Sequence, residues 1–327
     1  MNAGQPLVRA RGLHVSFVSR DATVTAVNGI DLDVAQGEVL CILGESGSGK
    51  SVTLRALMRL NPKAKTVMKG ELQVAGQDIM TISDTQLSAV RGKVVSMIFQ
   101  EPMTALDPVF TIGRQIAETL IRHEGLSRRA ADARALELLE LVQIPSAKRR
   151  LSAYPHELSG GLRQRAMIAM AISCRPQLLL ADEPTTALDA TVQIQILLLL
   201  RRLQEELGMG VVFVTHDLGV AGEIADRISV MYAGRMVEAG STIDVMGGPF
   251  HPYAKGLLGA TVHAGTRGKR LTTIPGSPPD LRYPIQGCAF APRCQHASDI
   301  CRASVPDFRP IAAGRRVRCV RAEEVAA

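Results

Sequence analysis

Gly44-Glu45-Ser46-Gly47-Ser48-Gly49-Lys50-Ser51 follows the apolar run Val39-Leu40-Cys41-Ile42-Leu43 and precedes a helical pattern from Val52 to Leu60. That order predicts a buried strand, a phosphate loop and a helix. Glycine lets the backbone wrap closely around a polyphosphate, so that successive N–H groups and the helix N-terminus face negative charge. At this spacing Lys50 reaches the β- and γ-phosphates and the Ser51 hydroxyl is offered to Mg²⁺. The loop therefore predicts a nucleoside triphosphate together with its metal. A purely structural glycine turn would not need the Lys-Ser pair at its end.

Upstream, Leu13-His14-Val15-Ser16-Phe17 and Ala26 to Val34 alternate apolar and polar residues and read as the arms of an antiparallel hairpin. Downstream come a β-like stretch from Gly70 to Val74, a polar helical segment from Ser83 to Val90, and the apolar strand Val94 to Phe99 ending at Gln100. From Glu101 to Ile144 the periodicity turns helical, with Ile112 to Arg122 and Arg128 to Val142 as the main helices, which suggests a helical insertion between strands. It closes on Leu158-Ser159-Gly160-Gly161 and the helical run Leu162 to Ser173. Ser159, Gly160 and Gly161 thus form a second helix start with donors for an anion.

Leu178-Leu179-Leu180-Ala181-Asp182-Glu183 is apolar until its last two residues. A strand that exposes acids only at its C-terminal end places them beside the phosphates in an α/β nucleotide site. Asp182 is then expected to hold the metal through water, and Glu183 to lie nearest the attacking water. After a helix from about Ala190 to Leu207, Val211 to Asp217 repeats the pattern. His216, at the strand's carboxyl end, becomes a candidate γ-phosphate contact. Ile228 to Tyr232 and Arg235 to Glu238 read as a hairpin about Ala233-Gly234.

Composition bounds the class. With 46% apolar and 21% charged residues over 327 positions the chain is globular, and aromatics at 3% leave an aliphatic core. Neither a secretory leader nor a membrane-length apolar run is visible, so a cytoplasmic, non-integral chain is expected. The net charge of +7 arises from local clusters such as Lys148-Arg149-Arg150, Arg267 to Arg270 and Arg315-Arg316-Arg318. They lack the aromatic interleaving of a single-strand binding surface, which argues against nucleic acid as the partner.

Taken together, these motifs resemble those of an ATP-binding-cassette (ABC) ATPase over about residues 7 to 255. Gly44 to Ser51 resembles Walker A, Gln100 the Q-loop, Leu158 to Gly161 the family signature, Leu178 to Asp182 Walker B, Ala187-Leu188-Asp189 the D-loop and His216 the switch histidine. The resemblance implies an α/β P-loop NTPase cassette with a mixed sheet core, an antiparallel β subdomain and a helical subdomain at about 101–172. It implies a cassette domain over 1–257 and a small C-terminal extension over 258–327. It further implies catalytic roles for Glu183, His216 and Gln100, and Mg²⁺ contacts from Ser51, Gln100 and Asp182. ATP contacts are implied for Phe17, Gly44 to Val52 (Glu45, Ser46, Gly47, Ser48, Gly49, Lys50 and Ser51 among them), Ser159, Gly160, Gly161 and Asp189. In such ATPases two cassettes pair head to tail, each signature covering the other's ATP. Two departures stand out: Leu162 replaces the usual Gln after the glycines, and Phe17 replaces an adenine-stacking aromatic that is commonly Tyr.

Beyond His251-Pro252-Tyr253 the chain becomes rich in Gly, Pro and Arg, with Gly265 to Lys269 and Ile274 to Pro279 reading as a linker to a small extension. The extension holds Cys288, Cys294, Cys301 and Cys319. In a cytoplasmic chain these are not expected as disulfides, and four thiolates suit an iron–sulfur cluster or a structural zinc. Intervals of five, six and seventeen residues match neither common spacing, and unliganded thiols remain a third option. Gly287 to Cys301 is similar to the C-terminal region of dipeptide and oligopeptide permease ATPases, which implies a [4Fe-4S] cluster with zinc as the alternative. Cys41 and Cys174 read as core residues.

Phe99 to Pro108, Tyr154-Pro155-His156 and His251 to Tyr253 extend that resemblance. It implies a bacterial importer of di- or oligopeptides, with a second cassette in a heterodimer, two transmembrane permease subunits and, indirectly, an extracytoplasmic substrate-binding protein. The chain would then be peripheral on the cytoplasmic face of the membrane. Competing readings are an importer of nickel or another small solute, and a soluble cassette ATPase acting on nucleic acid or ribosomes. The second would usually carry two cassettes in tandem, and no internal repeat is present.

Overall fold

Alternating and apolar runs become strands and the 3.6-residue patterns become helices, in the order the sequence suggests. A computed structural model of the chain describes residues 5–186, 188–260 and 273–326. Ala187 of the D-loop motif, the Gly265–Lys269 run and the Arg267–Arg270 cluster lie outside the described residues.

In chain order, β1 (Val8–Val18), β2 (Thr23–Val34) and β3 (Val39–Leu43) lead into α1 (Lys50–Leu57). Next come β4 (Thr66–Val74), β5 (Gln77–Asp78), α2 (Asp84–Val90) and β6 (Val95–Ile98). A helical stretch follows: α3 (Pro102–Ala105), α4 (Ile112–Glu124), α5 (Arg128–Leu141), α6 (Ala147–Arg150) and α7 (Gly160–Ile172). Then β7 (Leu178–Asp182), α8 (Ala190–Leu207), β8 (Gly210–Thr215), α9 (Leu218–Ile224), β9 (Arg227–Tyr232) and β10 (Arg235–Ser241) alternate. The C-terminal part holds α10 (Thr242–Gly247), α11 (Pro252–Gly259), α12 (Asp299–Ala303), β11 (Arg309–Ala312), β12 (Arg315–Val317) and α13 (Ala322–Ala326).

The chain divides into two units, the first over residues 5–7, 34–38 and 75–212, the second over 8–33, 39–74 and 213–326. In the first unit, β6 and β7 pair in parallel, Val95 opposite Leu178 and Ile98 opposite Ala181. Every residue of both strands is buried. Polar side chains accept from backbone N–H groups at the helix starts: Ser83 with Gln86 in a reciprocal capping box at α2, Thr111 at α4, Ser127 at α5, Ser159 at α7 and Asp189 at α8. The buried Arg165 of α7 donates to the Val142 carbonyl at 2.8 Å, which ties α7 to the end of α5.

In the second unit, β2, β1 and β4 lie side by side, with β1 antiparallel to β4 from Val8–Val74 to Phe17–Thr66. The register shifts between Arg11 and His14, where Gly70 passes directly over the Gly12 backbone. The strands extend further than the expected hairpin arms because charged residues such as Arg9 and Arg11 continue the ladder on the open face. β3 pairs in parallel with β9, β9 turns into antiparallel β10, and β10 pairs with β12, which pairs with β11. The last two pairings were not legible in advance: both strands are short and rich in arginine. They make the cysteine-bearing tail an extension of the second unit's sheet. Arg315 of β12 meets Glu238 of β10 at 3.0 Å, and the Phe250 and His251 N–H groups also donate to that fully buried carboxylate.

Candidate functional site

The phosphate loop belongs to the second unit. β3 is buried along its whole length and delivers the loop at its carboxyl end. Gly47 and Gly49 have φ of 79° and 106°, the left-handed region that favours glycine. A Cβ on Gly44 would meet the Met231 carbonyl of β9, and one on Gly49 the Ala26 carbonyl of β2, so both must lack a side chain for these backbones to approach. Lys50 is buried at the start of α1, and its Nζ donates to the carbonyls of Gly44 at 2.7 Å and Glu45 at 3.0 Å. The lysine is thus curled under its own loop. Ser48 Oγ is buried beside Gly44 without a hydrogen-bond partner. A buried hydroxyl left unsatisfied costs about 1–3 kcal/mol, which a phosphate oxygen would relieve. The donor set of this loop therefore fits a polyphosphate. In the same unit, Phe17 is half-buried on β1 opposite Thr66, and His216 is exposed just past β8.

The carboxylate residues belong to the first unit. Ile98 and Ala181 are paired, so Gln100 and Glu183, each two residues further on, emerge side by side from adjacent parallel strands. Gln100 Nε2 donates to Glu183 Oε2 at 3.3 Å, and the Thr186 hydroxyl donates to the same oxygen at 3.0 Å. Glu183 has a φ of 45°, a conformation costly for a residue with a side chain and one that concentrates at functional positions. Asp182, one residue earlier, is buried. Thr186 escaped the sequence reading, although its place three residues after Glu183 is a detectable turn signal.

Ser159 caps α7, with its hydroxyl accepting from the Leu162 N–H at 3.4 Å, and both Ser159 and Gly160 are exposed. A Cβ on Gly161 would fall 2.7 Å from Val192 Cγ1, so this glycine also permits close packing of α7 on α8. Asp189 is exposed and accepts from the Val192 N–H at 3.0 Å, a cap that accounts for its residue type structurally.

Cys288, Cys294, Cys301 and Cys319 all line one cavity in the second unit, with His251, Phe290 and Pro306 among its walls. Gly287, at a φ of 68°, lets Cys288 pass against the backbone of α12, where its N–H donates to the Cys301 carbonyl at 2.7 Å. The Phe290 and Ala291 N–H groups face the Cys288 sulfur, the His296 N–H faces Cys294 and the Arg321 N–H faces Cys319. The Ser298 hydroxyl lies 3.5 Å from Cys301 Sγ. Burial pushes the Cys288 and Cys294 thiols up, and the Cys319 thiol to about 11. Donors aimed at each sulfur fit thiolates held by a metal better than neutral thiols, which accept weakly. Among the described residues, no group of three or more His, Cys, Asp or Glu is arranged to hold a metal ion as the side chains stand.

A P-loop with a buried lysine, a carboxylate strand with a paired glutamine and a Ser-Gly-Gly helix start whose first two residues are exposed define an ATP-hydrolysing cassette. The comparisons with known proteins agree. The family described as ABC transporter matches residues 27–186, and the oligopeptide/dipeptide transporter C-terminal region matches residues 237–301. The chain is 46% identical over 303 residues to the dipeptide transport ATP-binding protein DppD of Bacillus subtilis, covering 92% of this chain and 90% of that one. It is 45% identical over 318 residues to the oligopeptide transport ATP-binding protein OppD of Salmonella typhimurium, covering 97% and 94%. Among solved structures, the dimeric post-hydrolysis state of the cassette MJ0796 bound to ADP and Pi superposes with a TM-score of 0.65 at 30% identity, over 72% of this chain and 98% of that one.

The chain belongs to the ABC transporter family, as an ABC ATPase that carries the oligopeptide/dipeptide transporter C-terminal region. The cassette fold expected from the motifs is borne out, with its mixed sheet, antiparallel sheet and helical part. The match to the C-terminal region takes in Cys288, Cys294 and Cys301 and stops short of Cys319. No helix among the described residues is long and apolar enough to cross a membrane.

Proposed function

We propose that this chain is the ATP-hydrolysing subunit of a bacterial importer for di- or oligopeptides. It works with membrane permease subunits and pairs head to tail with a second cassette. Lys50, Ser51 and the loop amides bind the triphosphate, Asp182 holds the metal through water, and Glu183 orients or deprotonates the attacking water, assisted by Gln100 and His216. Mg²⁺, when bound, neutralises charge on the phosphates. Ser159, Gly160 and Gly161 cover the partner cassette's ATP, which accounts for a helix start with exposed donors. The peptide cargo is supported by the names of the relatives and the C-terminal region match.

The observation that carries the catalytic assignment is Glu183, held at a φ of 45° with the Gln100 amide on its carboxylate. Phosphoryl transfer depends on positioning and charge, and a water-orienting carboxylate is worth about 10²–10⁴ in rate. Glu183→Gln should therefore retain ATP binding and lose turnover by about that factor, and normal turnover in the variant would remove the assignment. Affinity purification tests the transport role. Recovery of polytopic membrane proteins and a second cassette supports it, and recovery of ribosomes or DNA overturns it.

We also propose that the four tail cysteines hold a [4Fe-4S] cluster. Support comes from the four cysteines lining one cavity, from the backbone donors aimed at Cys288, Cys294 and Cys319, and from the similarity of the tail to the oligopeptide/dipeptide transporter C-terminal region.

A further inference from the structure

Arg293 lies between Cys288 and Cys294 in the tail, yet its side chain ends at the phosphate loop. Its guanidinium grips Glu45 with two parallel bonds, Nη1 to Oε2 at 2.7 Å and Nη2 to Oε1 at 3.0 Å. The side chain is 5% exposed and Glu45's is 28% exposed, so the pair is largely withdrawn from solvent. Arg293 also donates through Nε to the Pro275 carbonyl at 2.8 Å and through Nη1 to the Tyr232 hydroxyl at 3.3 Å. Four bonds to three partners fix a fork whose geometry a lysine could not reproduce.

Glu45 is the second residue of the loop, and its backbone is also committed. Its N–H donates to the Tyr253 hydroxyl at 2.8 Å, and its carbonyl accepts from Lys50 Nζ at 3.0 Å and from the Ser48 N–H at 3.2 Å. The entry to the loop is thus pinned by the tail through its side chain and by α11 and the loop itself through its backbone. A carboxylate here stands on a segment meant for a triphosphate. Left unpaired, it would repel the ligand through a medium of low effective dielectric.

We propose that Arg293 is a positioning residue for nucleotide binding: it neutralises Glu45 and sets the loop's entry, and it makes ATP affinity depend on the state of the neighbouring cysteine site. The link to the cysteines is short. Arg293 directly precedes Cys294, and its own N–H bonds to the Phe290 carbonyl at 2.9 Å inside the turn that Cys288 begins. This rests on the ATP-binding role proposed above. By linkage, any effect of the tail on ATP affinity is matched by an effect of ATP on the tail.

The test measures binding of a fluorescent ATP analogue to the full chain, with thermal unfolding recorded on each variant. Arg293→Ala should weaken binding about tenfold or more. Made in a Glu45→Gln background, the same substitution should change binding by no more than about twofold, because the charge it exposes is gone. A merely structural role predicts an equal loss in both backgrounds, and that result, or wild-type affinity in Arg293→Ala, overturns the proposal. Failure of the wild-type chain to bind ATP would instead sink the reading on which it rests. In a second arm, thiol alkylation followed by mass spectrometry should be slowed by ATP in the wild type and not in Arg293→Ala, and equal slowing in both would break the link to the cysteines.

Discussion

Gly49 stands at a φ of 106° at the start of α1, with the Ala26 carbonyl where a Cβ would be. Gly47 is also left-handed, at 79°, but nothing lies within 4 Å of its missing Cβ. Two glycines two positions apart in one motif therefore differ in physical demand. Alanine at Gly47 carries only the left-handed cost of about 1–2 kcal/mol. At Gly49 it adds a clash with backbone, and overpacking of this kind costs a further 1–3 kcal/mol or so. Denaturant titration should find Gly49→Ala the more destabilised by at least about 1 kcal/mol, and equal values would show that the strand and loop can part without cost. Sequence spacing identifies both glycines and cannot rank them, because the carbonyl that separates them belongs to β2.

Among the elements, α11 shows a helix start with an unusual cap. His251 Nδ1 accepts from the Tyr253 N–H at 3.0 Å, so the ring must be neutral at that nitrogen, and complete burial holds its pKa down at about 3. An unfolded histidine takes up a proton near pH 6.5, which the folded one refuses. The stability due to His251 is thus complete above about pH 6.5 and declines as pH falls toward 3, by up to about 1.4 kcal/mol per pH unit. Glu238, whose carboxyl pKa burial raises, acts in the opposite sense, its contribution being full below the ordinary carboxylate range and falling as pH rises above it. Comparing wild type with His251→Asn, which keeps a capping acceptor, isolates the histidine. Unfolding free energies at pH 7 and pH 5 should diverge more in the wild type, and parallel pH profiles would reject the neutral buried histidine. No helix is expected from the sequence after His251-Pro252-Tyr253, although proline suits a first turn. The pH dependence follows only from burial under Phe290, 5.8 Å away in the tail.

At the level of the whole molecule, the tail is where composition says least about packing. Gly, Pro and Arg suggest a linker and an appendage, yet β12 pairs with β10, Phe290 packs edge-on to Tyr232 at 5.3 Å, and Arg315 satisfies the buried Glu238. A small segment integrated this way, with four thiols around one cavity, should gain stability when they are ligated, because metal binding to a site absent from the unfolded chain is folding free energy. Anaerobic purification should therefore yield iron and sulfide in cluster proportion, and removing them should lower the melting temperature. Stoichiometric zinc without iron would replace the cluster with a single ion, and a metal-free chain of unchanged stability would end the metal reading.

The sequence by itself determined the cassette: the phosphate loop, the carboxylate strand, the Ser-Gly-Gly helix start and most elements between them. Such features are written in short spacings, where a few consecutive residues set backbone conformation, capping and the direction in which donors point. The tertiary structure alone decided the pairing of Gln100 with Glu183, the sheet strands of the arginine-rich tail, and the grip of Arg293 on Glu45 across 248 residues of chain. Contacts of that kind join residues whose local sequences carry no sign of each other, and they form only when packing brings the segments together.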